Sequence, residues 1–135
     1  MSQTEGITVL HVDDDPDLAD LTAEMLAAET GQFTVETATS ASEGLDRLAT
    51  DDFDCIVSDY QMPGQNGIEF LETVRETHPD LPFILYTGEG SEAVASDAIS
   101  AGVTDYLQKE TGTGQYTVLA NRIRNAVEKR RSERA

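Results

Sequence analysis

Short apolar segments alternate with amphipathic segments five times along this chain, and no other feature restricts its possible folds as strongly. Segments that read as strands lie at residues 7–12, 33–38, 55–58 and 82–87, the first and third of them apolar runs, and a shorter segment contains Tyr106 and Leu107. Each segment is followed by residues with the apolar spacing of a helix. Strands and helices that alternate in this way form a parallel sheet with helices on both faces.

The alternation predicts a particular order of strands. Crossovers between parallel strands are right-handed, and a common order for five of them is 2-1-3-4-5. We therefore predict an α/β fold of the flavodoxin-like type, a (βα)5 three-layer sandwich with a parallel five-stranded sheet. Ligands of such sheets bind beyond the carboxyl ends of the strands, so the residues that follow each strand are the candidates for function.

Local signals predict where the helices begin and end. Pro16 suits the first turn of the first helix, and Ser40 with Glu43 has the spacing of a capping box. Pro79 ends the third helix, because the residue before a proline avoids the helical conformation. Apolar spacing places the last helix over Thr117–Glu128.

Length and charge restrict the number of domains and the partners. The 135 residues fit one domain, which we predict to span residues 1–128. With 26 acidic and 9 basic residues the net charge is −17, and such a body repels nucleic acids and anionic membrane surfaces. We expect direct binding to neither. The acid excess predicts a halophilic protein of a high-salt cytoplasm, and the single cysteine, Cys55, suits a reducing compartment.

The end of the chain is basic, unlike the rest. Residues 121–135 contain six of the lysines and arginines, and we predict that residues 129–135 are the basic end of the last helix or the start of a linker. Cations at the carboxyl end of a helix complement its dipole. Binding of nucleic acid is the alternative, and the acidic body makes it the weaker one.

Carboxylates, a hydroxyl and an ammonium group follow four of the predicted strands. Asp13 and Asp14 follow the first, Asp59 the third and Lys109 the fifth, and Thr87 ends the fourth. These strands are neighbours in the predicted order, so their side chains are expected to meet at one edge of the sheet. Clustered carboxylates repel one another unless a cation intervenes, and Mg²⁺, with Mn²⁺ as a substitute, accepts such oxygen ligands.

This edge would contain the groups that phosphoryl transfer requires. A metal held by Asp14 and Asp59 leaves one oxygen of Asp59 as a nucleophile. Lys109 supplies a mobile positive charge for an incoming phosphoryl group, and Thr87 supplies a hydroxyl donor.

Four short motifs carry a resemblance to a known family. They are Val12-Asp13-Asp14-Asp15-Pro16, Ser58-Asp59-Tyr60-Gln61-Met62-Pro63-Gly64, Tyr86-Thr87-Gly88 and Tyr106-Leu107-Gln108-Lys109. In this order and spacing, over about residues 7–127, the chain resembles the receiver domains of two-component response regulators. Each motif alone is weak, whereas the four together are specific.

The resemblance implies a phospho-acceptor and its metal ligands. Asp59 matches the aspartate that takes a phosphoryl group from a sensor histidine kinase or a phosphotransfer protein. Asp14 matches the direct acidic ligand of Mg²⁺, and Asp13 matches a ligand that acts largely through water. The backbone carbonyl of Gln61 matches the last protein ligand.

The resemblance also implies a switch. Thr87 matches the hydroxyl that turns toward the new phosphoryl group, and Lys109 matches the lysine that pairs with it. Tyr106 matches the aromatic side chain that moves inward, which changes the surface of the fourth helix, fifth strand and fifth helix for a downstream effector. Such a protein catalyses its own phosphorylation and slow dephosphorylation and is not a turnover enzyme.

The chain departs from the family pattern after the lysine. The family usually has a proline there, with a cis peptide bond, whereas this chain has Glu110. Because a cis bond without proline costs about 3–4 kcal/mol, we predict a trans bond and a differently shaped loop. Gln61 and Glu89 lie two places after Asp59 and Thr87, where family members tune hydrolysis of the acyl phosphate.

Other classes of function fit the residues less well. A Mg²⁺-dependent phosphatase of small phosphomonoesters could use Asp59 as its nucleophile, but a second general acid and a cap segment are missing. A degenerate receiver that binds partners without phosphorylation would not need the complete set of site residues. The acidic run after the first strand also has EF-hand spacing, but Leu18 replaces the required glycine.

Overall fold

The computed structural model of the chain describes residues 6–88 and 90–134. Its strands are β1 (Ile7–Val12), β2 (Phe33–Ala38), β3 (Cys55–Ser58), β4 (Phe83–Thr87) and β5 (Asp105–Gln108). All neighbouring pairs are parallel, and the order across the sheet is β2-β1-β3-β4-β5. The predicted flavodoxin-like fold is confirmed.

A helix follows each strand. The helices are α1 (Pro16–Glu29), α2 (Ala41–Thr50), α3 (Gly67–Thr77), α4 (Glu92–Ser100) and α5 (Gly114–Arg134). In the described part of the chain, no helix is both long and apolar enough to cross a membrane.

The sheet has a separate apolar layer on each face. One layer contains Leu10, Ile56, Phe70 and Phe83, and the rings of the last two meet edge to face with their centroids 5.6 Å apart. The other layer joins β-strand residues to α5 through Leu119, Ile123 and Val127. Burial on both faces explains why β1, β3 and β4 are mostly apolar instead of alternating.

Side chains cap the helices that begin beside the carboxyl edge of the sheet. Asp15 Oδ1 accepts the N–H groups of Asp17 and Leu18, at 3.1 and 3.2 Å, so α1 begins directly after the acidic run. Ser40 caps α2 as predicted, because its hydroxyl accepts the N–H of Glu43. The capping box is incomplete, since the Glu43 carboxylate accepts the N–H of Thr39 at 2.7 Å instead of the N–H of Ser40. A complete capping box starts α3, where Asn66 and Glu69 form it.

Two predicted boundaries are wrong. β4 begins at Phe83 and not at Pro82, since Pro82 has no N–H for the ladder. α5 spans Gly114–Arg134 and therefore begins before Thr117 and continues past Glu128. Apolar spacing could not show the second extension, because the contacts of Arg131 beyond Val127 are polar and ionic.

The basic end of α5 lies against the start of the sheet. The Arg131 guanidinium donates to the carbonyl of Gly6 at 2.8 Å and lies 3.4 Å from a carboxylate oxygen of Asp54. Asp54 also accepts the N–H of Thr8 at 2.8 Å. Because α5 spans Gly114–Arg134, the predicted boundary at residue 128 lies within one continuous helix.

Candidate functional site

Backbone hydrogen bonds continue past the ends of the strands and bring the site residues together. The N–H of Asp59 donates to the carbonyl of Val12 at 2.9 Å, which places Asp59 beside the acidic run. The N–H of Lys109 donates to the carbonyl of Thr87 at 2.9 Å, which places Lys109 beside the end of β4. Parallel pairing thus aligns residues that are distant in the sequence.

Lys109 is the cation of the site. Its Nζ lies 3.1 Å from Oδ2 of Asp13 and 3.3 Å from Oδ2 of Asp59. The side chains of Asp13, Asp59 and Lys109 are 1%, 14% and 18% exposed. Such burial strengthens the two ion pairs relative to surface pairs, because water screens them less.

Three carboxylates lie close enough to share a metal ion. Asp13, Asp14 and Asp59 each offer an oxygen within 4.8 Å of the other two, and Asp14 is the exposed member of the three. A set of hard oxygen donors fits Mg²⁺. Asp13 already uses both oxygens, since Oδ1 accepts the N–H of Asp15 at 3.0 Å and Oδ2 pairs with Lys109.

A cleft of about 630 Å³ opens at these carboxylates. It is lined by Asp14, Asp59, Tyr60, Gln61, Met62, Pro63, Asn66, Gly88 and Lys109. Asp59 is oriented within it by its own loop, because its Oδ1 accepts the N–H of Tyr60 at 2.7 Å. Gln61, the predicted backbone ligand, is exposed on the same loop. A small anion can therefore reach Asp59 from solvent.

Thr87 and Tyr106 lie at the side of this arrangement. Thr87 is fully buried at the end of β4 and is not among the described residues that line the cleft, although Gly88 is. Tyr106 is half-buried against the core, and its hydroxyl is buried without a hydrogen-bond partner among the described residues. A Cβ on Gly90 would overlap this hydroxyl, so Gly90 leaves the space that Tyr106 occupies.

One consequence of the sequence departures can be located. The described peptide bonds include no cis bond, and the bond between Lys109 and Glu110 is trans as predicted. Glu89 lies outside the described residues.

Sequence reasoning missed one residue that shapes the site. Gly67 begins α3, and its N–H donates to the carbonyl of Tyr60 at 2.7 Å. A Cβ on Gly67 would overlap the carbonyl oxygen of Asp59 and lie 2.8 Å from Leu85. The loop that carries Gln61 closes tightly because residue 67 has no side chain. The glycine was visible in the sequence, but its close neighbour was not.

Two titratable groups inside the sheet are buried. Burial lowers the pKa of the His11 imidazole to about 4, with Asp13 opposing this effect and Lys109 adding to it. Burial likewise raises the pKa of the Cys55 thiol well above its usual range, and the neighbouring Asp54 adds to the increase. Both residues are packed inside the sheet.

Comparisons with known proteins agree with this geometry. Residues 9–121 match the family described as "Response regulator receiver domain". The chain is 36% identical over 124 residues to the C4-dicarboxylate transport transcriptional regulatory protein DctD of Rhizobium meliloti, covering 92% of this chain and 26% of that protein. It is 39% identical over 101 residues to the transcriptional regulatory protein CpxR of Escherichia coli K12, covering 75% and 42%. The chain spans less than half the length of these curated relatives.

Solved structures show the same fold. A CheY-like response regulator receiver domain protein from Methanospirillum hungatei superposes with a TM-score of 0.85 at 27% identity, over 96% of this chain and 99% of that one. The beryllofluoride-activated NtrC4 receiver domain dimer superposes with a TM-score of 0.79 at 28% identity, over 91% and 98%.

Family, fold and site therefore lead to one conclusion. Receiver domains are signalling modules and not turnover enzymes, and members of the family carry an acidic pocket of the kind that Asp13, Asp14 and Asp59 form here. This chain belongs to the family of response-regulator receiver domains of two-component signal transduction.

Proposed function

We propose that this domain accepts a phosphoryl group on Asp59 from a phosphohistidine and thereby switches its α4–β5–α5 surface. One observation carries the proposal. The Lys109 ammonium lies between Asp13 and Asp59, and Lys109 and Asp59 line a cleft together with a third carboxylate, Asp14. A positive charge and an oriented carboxylate at the mouth of a cleft are what an incoming phosphoryl group requires.

The proposed transfer is a direct displacement at phosphorus. An oxygen of Asp59 forms a bond to phosphorus while the phosphorus–nitrogen bond of the phosphohistidine breaks. The bonding electron pair goes to the imidazole nitrogen, which takes a proton from solvent. Lys109 then exchanges its contact with Asp59 Oδ2 for one with a phosphoryl oxygen, which a flexible lysine side chain can do without backbone movement.

The acidic residues have different proposed roles in metal binding. Bound Mg²⁺, or Mn²⁺ in its place, would neutralise charge on the phosphoryl oxygens. Asp14 and Asp59 line the cleft and are the proposed direct ligands, together with the backbone carbonyl of Gln61. Asp13 is buried with both oxygens engaged, which supports an indirect role through water.

The proposed switch uses Thr87 and Tyr106. Thr87 ends β4 next to the cleft-lining Gly88, and its hydroxyl is the proposed donor to a phosphoryl oxygen. Tyr106 packs against Gly90, which leaves space for its hydroxyl.

The proposed partners and location follow from charge and chemistry. A sensor histidine kinase or a phosphotransfer protein would supply the phosphoryl group, and an effector would read the switched surface. A net charge of −17 disfavours direct contact with nucleic acids and anionic membranes and supports a high-salt cytoplasm as the working environment. The phosphatase alternative has no comparable support, since the chain matches receivers.

Phosphorylation can be measured by intact mass. We expect incubation with Mg²⁺ and acetyl phosphate, at low salt and again at molar KCl, to add one phosphoryl mass to the wild type. Asp59→Asn abolishes the addition, because it replaces the nucleophile. Asp52→Asn, at an exposed position before β3, is the matched control and keeps it.

An unchanged wild-type mass at both salt concentrations contradicts the proposal. Continued phosphorylation of Asp59→Asn would assign the phosphoryl group to another residue. Release of phosphate from many small phosphomonoesters with turnover would favour the phosphatase.

A further inference from the structure

The loop between β5 and α5 is held by one side chain. Gln115 lies in the first turn of α5. Its Oε1 accepts the N–H of Glu110 at 3.1 Å, and its Nε2 donates to the carbonyl of Gly112 at 2.9 Å. Gln115 therefore fixes the backbone directly after Lys109 by two hydrogen bonds.

The same glutamine binds a tyrosine that contacts Lys109. The Tyr86 hydroxyl donates to Gln115 Oε1, and the Tyr86 ring faces the Lys109 ammonium, with 5.7 Å between Nζ and the ring centroid. That distance is within the range of a cation–π contact. Burial raises the pKa of Tyr86 above its usual range, so the phenol keeps the proton that it donates.

These contacts constrain Lys109 from two sides. The backbone beyond it is tied through Glu110, and its side chain lies over a ring whose hydroxyl is tied to the same Gln115 oxygen. A proline at residue 110 has no N–H and could not form the first of these bonds. A long lysine side chain otherwise has much rotamer freedom, which lowers the fraction of time it spends at Asp59.

We infer that Gln115 and Tyr86 are positioning residues that direct the Lys109 ammonium to Asp13 and Asp59. The expected effect of these two residues on phosphorylation rests on the proposed function. The position of the Lys109 ammonium can be measured whether or not the domain is phosphorylated.

The chain offers a direct probe of that position. Lys109 and Lys129 are its two lysines, so protein labelled with [13Cε]-lysine gives one site signal and one internal reference. Lys109→Ala assigns the signals. We expect Gln115→Ala to shift the Lys109 ε-methylene resonances and to reduce the splitting of their two protons, while the Lys129 signal stays in place.

Three further variants separate positioning from a general loss of stability. Tyr86→Phe keeps the ring and removes the hydroxyl bond, so it shifts the Lys109 signal less than Tyr86→Leu, which removes both. Gln65→Ala is the matched control, because Gln65 is an exposed glutamine that bonds Thr73 and not the Lys109 loop. It leaves both lysine signals unchanged.

Phosphorylation by acetyl phosphate and Mg²⁺ gives the second readout. Gln115→Ala is expected to lower the rate of phosphorylation about tenfold, because it displaces a charged group from the site. The Mg²⁺ dissociation constant should change less than twofold, and the protein should still be folded at the assay temperature. Lys109 signals in Gln115→Ala and Tyr86→Leu that superpose on those of the wild type would overturn the inference. If the wild type takes no phosphoryl group, the proposed function fails, and the resonances still decide the positioning.

Discussion

The Lys109 ammonium lies 3.1 Å from Asp13 Oδ2, although 96 positions separate the two residues in the chain. This pair closes the site, because Asp13 lies at the end of β1 and Lys109 at the end of β5. Asp59 completes it at 3.3 Å from the same ammonium. A single cation therefore pairs with two carboxylates, of which Asp13 is buried and Asp59 is mostly buried.

Replacing Lys109 should destabilise the metal-free protein. Lys109→Ala leaves Asp13 and Asp59 facing each other without a cation, at a cost of about 1–3 kcal/mol in the free energy of unfolding. Added Mg²⁺ should restore part of this loss. Thermal unfolding with and without Mg²⁺ should thus show a larger metal-dependent increase in Tm for Lys109→Ala than for the wild type. Lys129→Ala is the control and should behave like the wild type. If Mg²⁺ raises the Tm of Lys109→Ala by no more than it raises that of the wild type, the assignment of Lys109 is contradicted.

Asp13 and Asp14 should respond differently to replacement. Asp14→Ala removes an exposed carboxylate of the cleft, so it should weaken Mg²⁺ binding about tenfold or more and leave stability nearly unchanged. Asp13→Ala removes the bonds to Lys109 and to the N–H of Asp15, so it should lower stability by about 1–3 kcal/mol. Calorimetric Mg²⁺ titration and urea unfolding measure the two effects. Equal losses in both assays would show that the two carboxylates do not have separate roles.

Gly67 should tolerate no side chain. Gly67→Ala forces a methyl group onto the carbonyl of Asp59, and we expect a loss of about 1–3 kcal/mol in unfolding free energy. Weaker Mg²⁺ binding should accompany it, because the loop with Gln61 must move. Gly31→Ala is the matched control, since a Cβ at Gly31 meets no atom within 4 Å. Similar urea midpoints for the two variants would show that the loop relaxes freely.

The Cys55 thiol should be protected from modification and from ionisation. Burial raises its pKa in the folded protein, whereas in the unfolded chain it titrates near pH 8.5. The unfolded state therefore loses a proton first, so stability is complete below about pH 8.5 and falls as the pH rises above it. Urea unfolding from pH 8 to 10 should show a decline that is smaller in Cys55→Ala. Rapid reaction of the native protein with a disulfide reagent would contradict this.

The basic end of α5 should contribute to stability. Removal of residues 129–135 eliminates the bonds of Arg131 to Gly6 and Asp54, and we expect a loss of about 1 kcal/mol, since these groups are partly exposed. Arg131→Ala should reproduce most of that loss in urea unfolding. No change in either variant would favour the interpretation of residues 129–135 as the start of a linker.

Most of the fold could be predicted from local patterns. Apolar runs marked β1, β3 and β4 most clearly, because burial on both faces of a parallel sheet leaves no polar alternation there. Boundaries failed where contacts with distant residues decide them, as for α5, whose end is stabilised by Asp54 and Gly6. The capping box at Asn66 could have been found, because Glu69 follows it at the required spacing.

The sequence by itself determined which chemical groups this domain has and that strand order would bring them to one edge. Asp13, Asp14, Asp59, Thr87 and Lys109 all lie at that edge, since each lies at or directly beyond the end of a strand. Only the tertiary structure decided how they are arranged: that Asp13 is buried and paired, that Asp14 faces the cleft, and that Gln115 and Tyr86 bracket Lys109. Burial and side-chain contacts depend on elements that meet in space and not in sequence, so no local pattern encodes them.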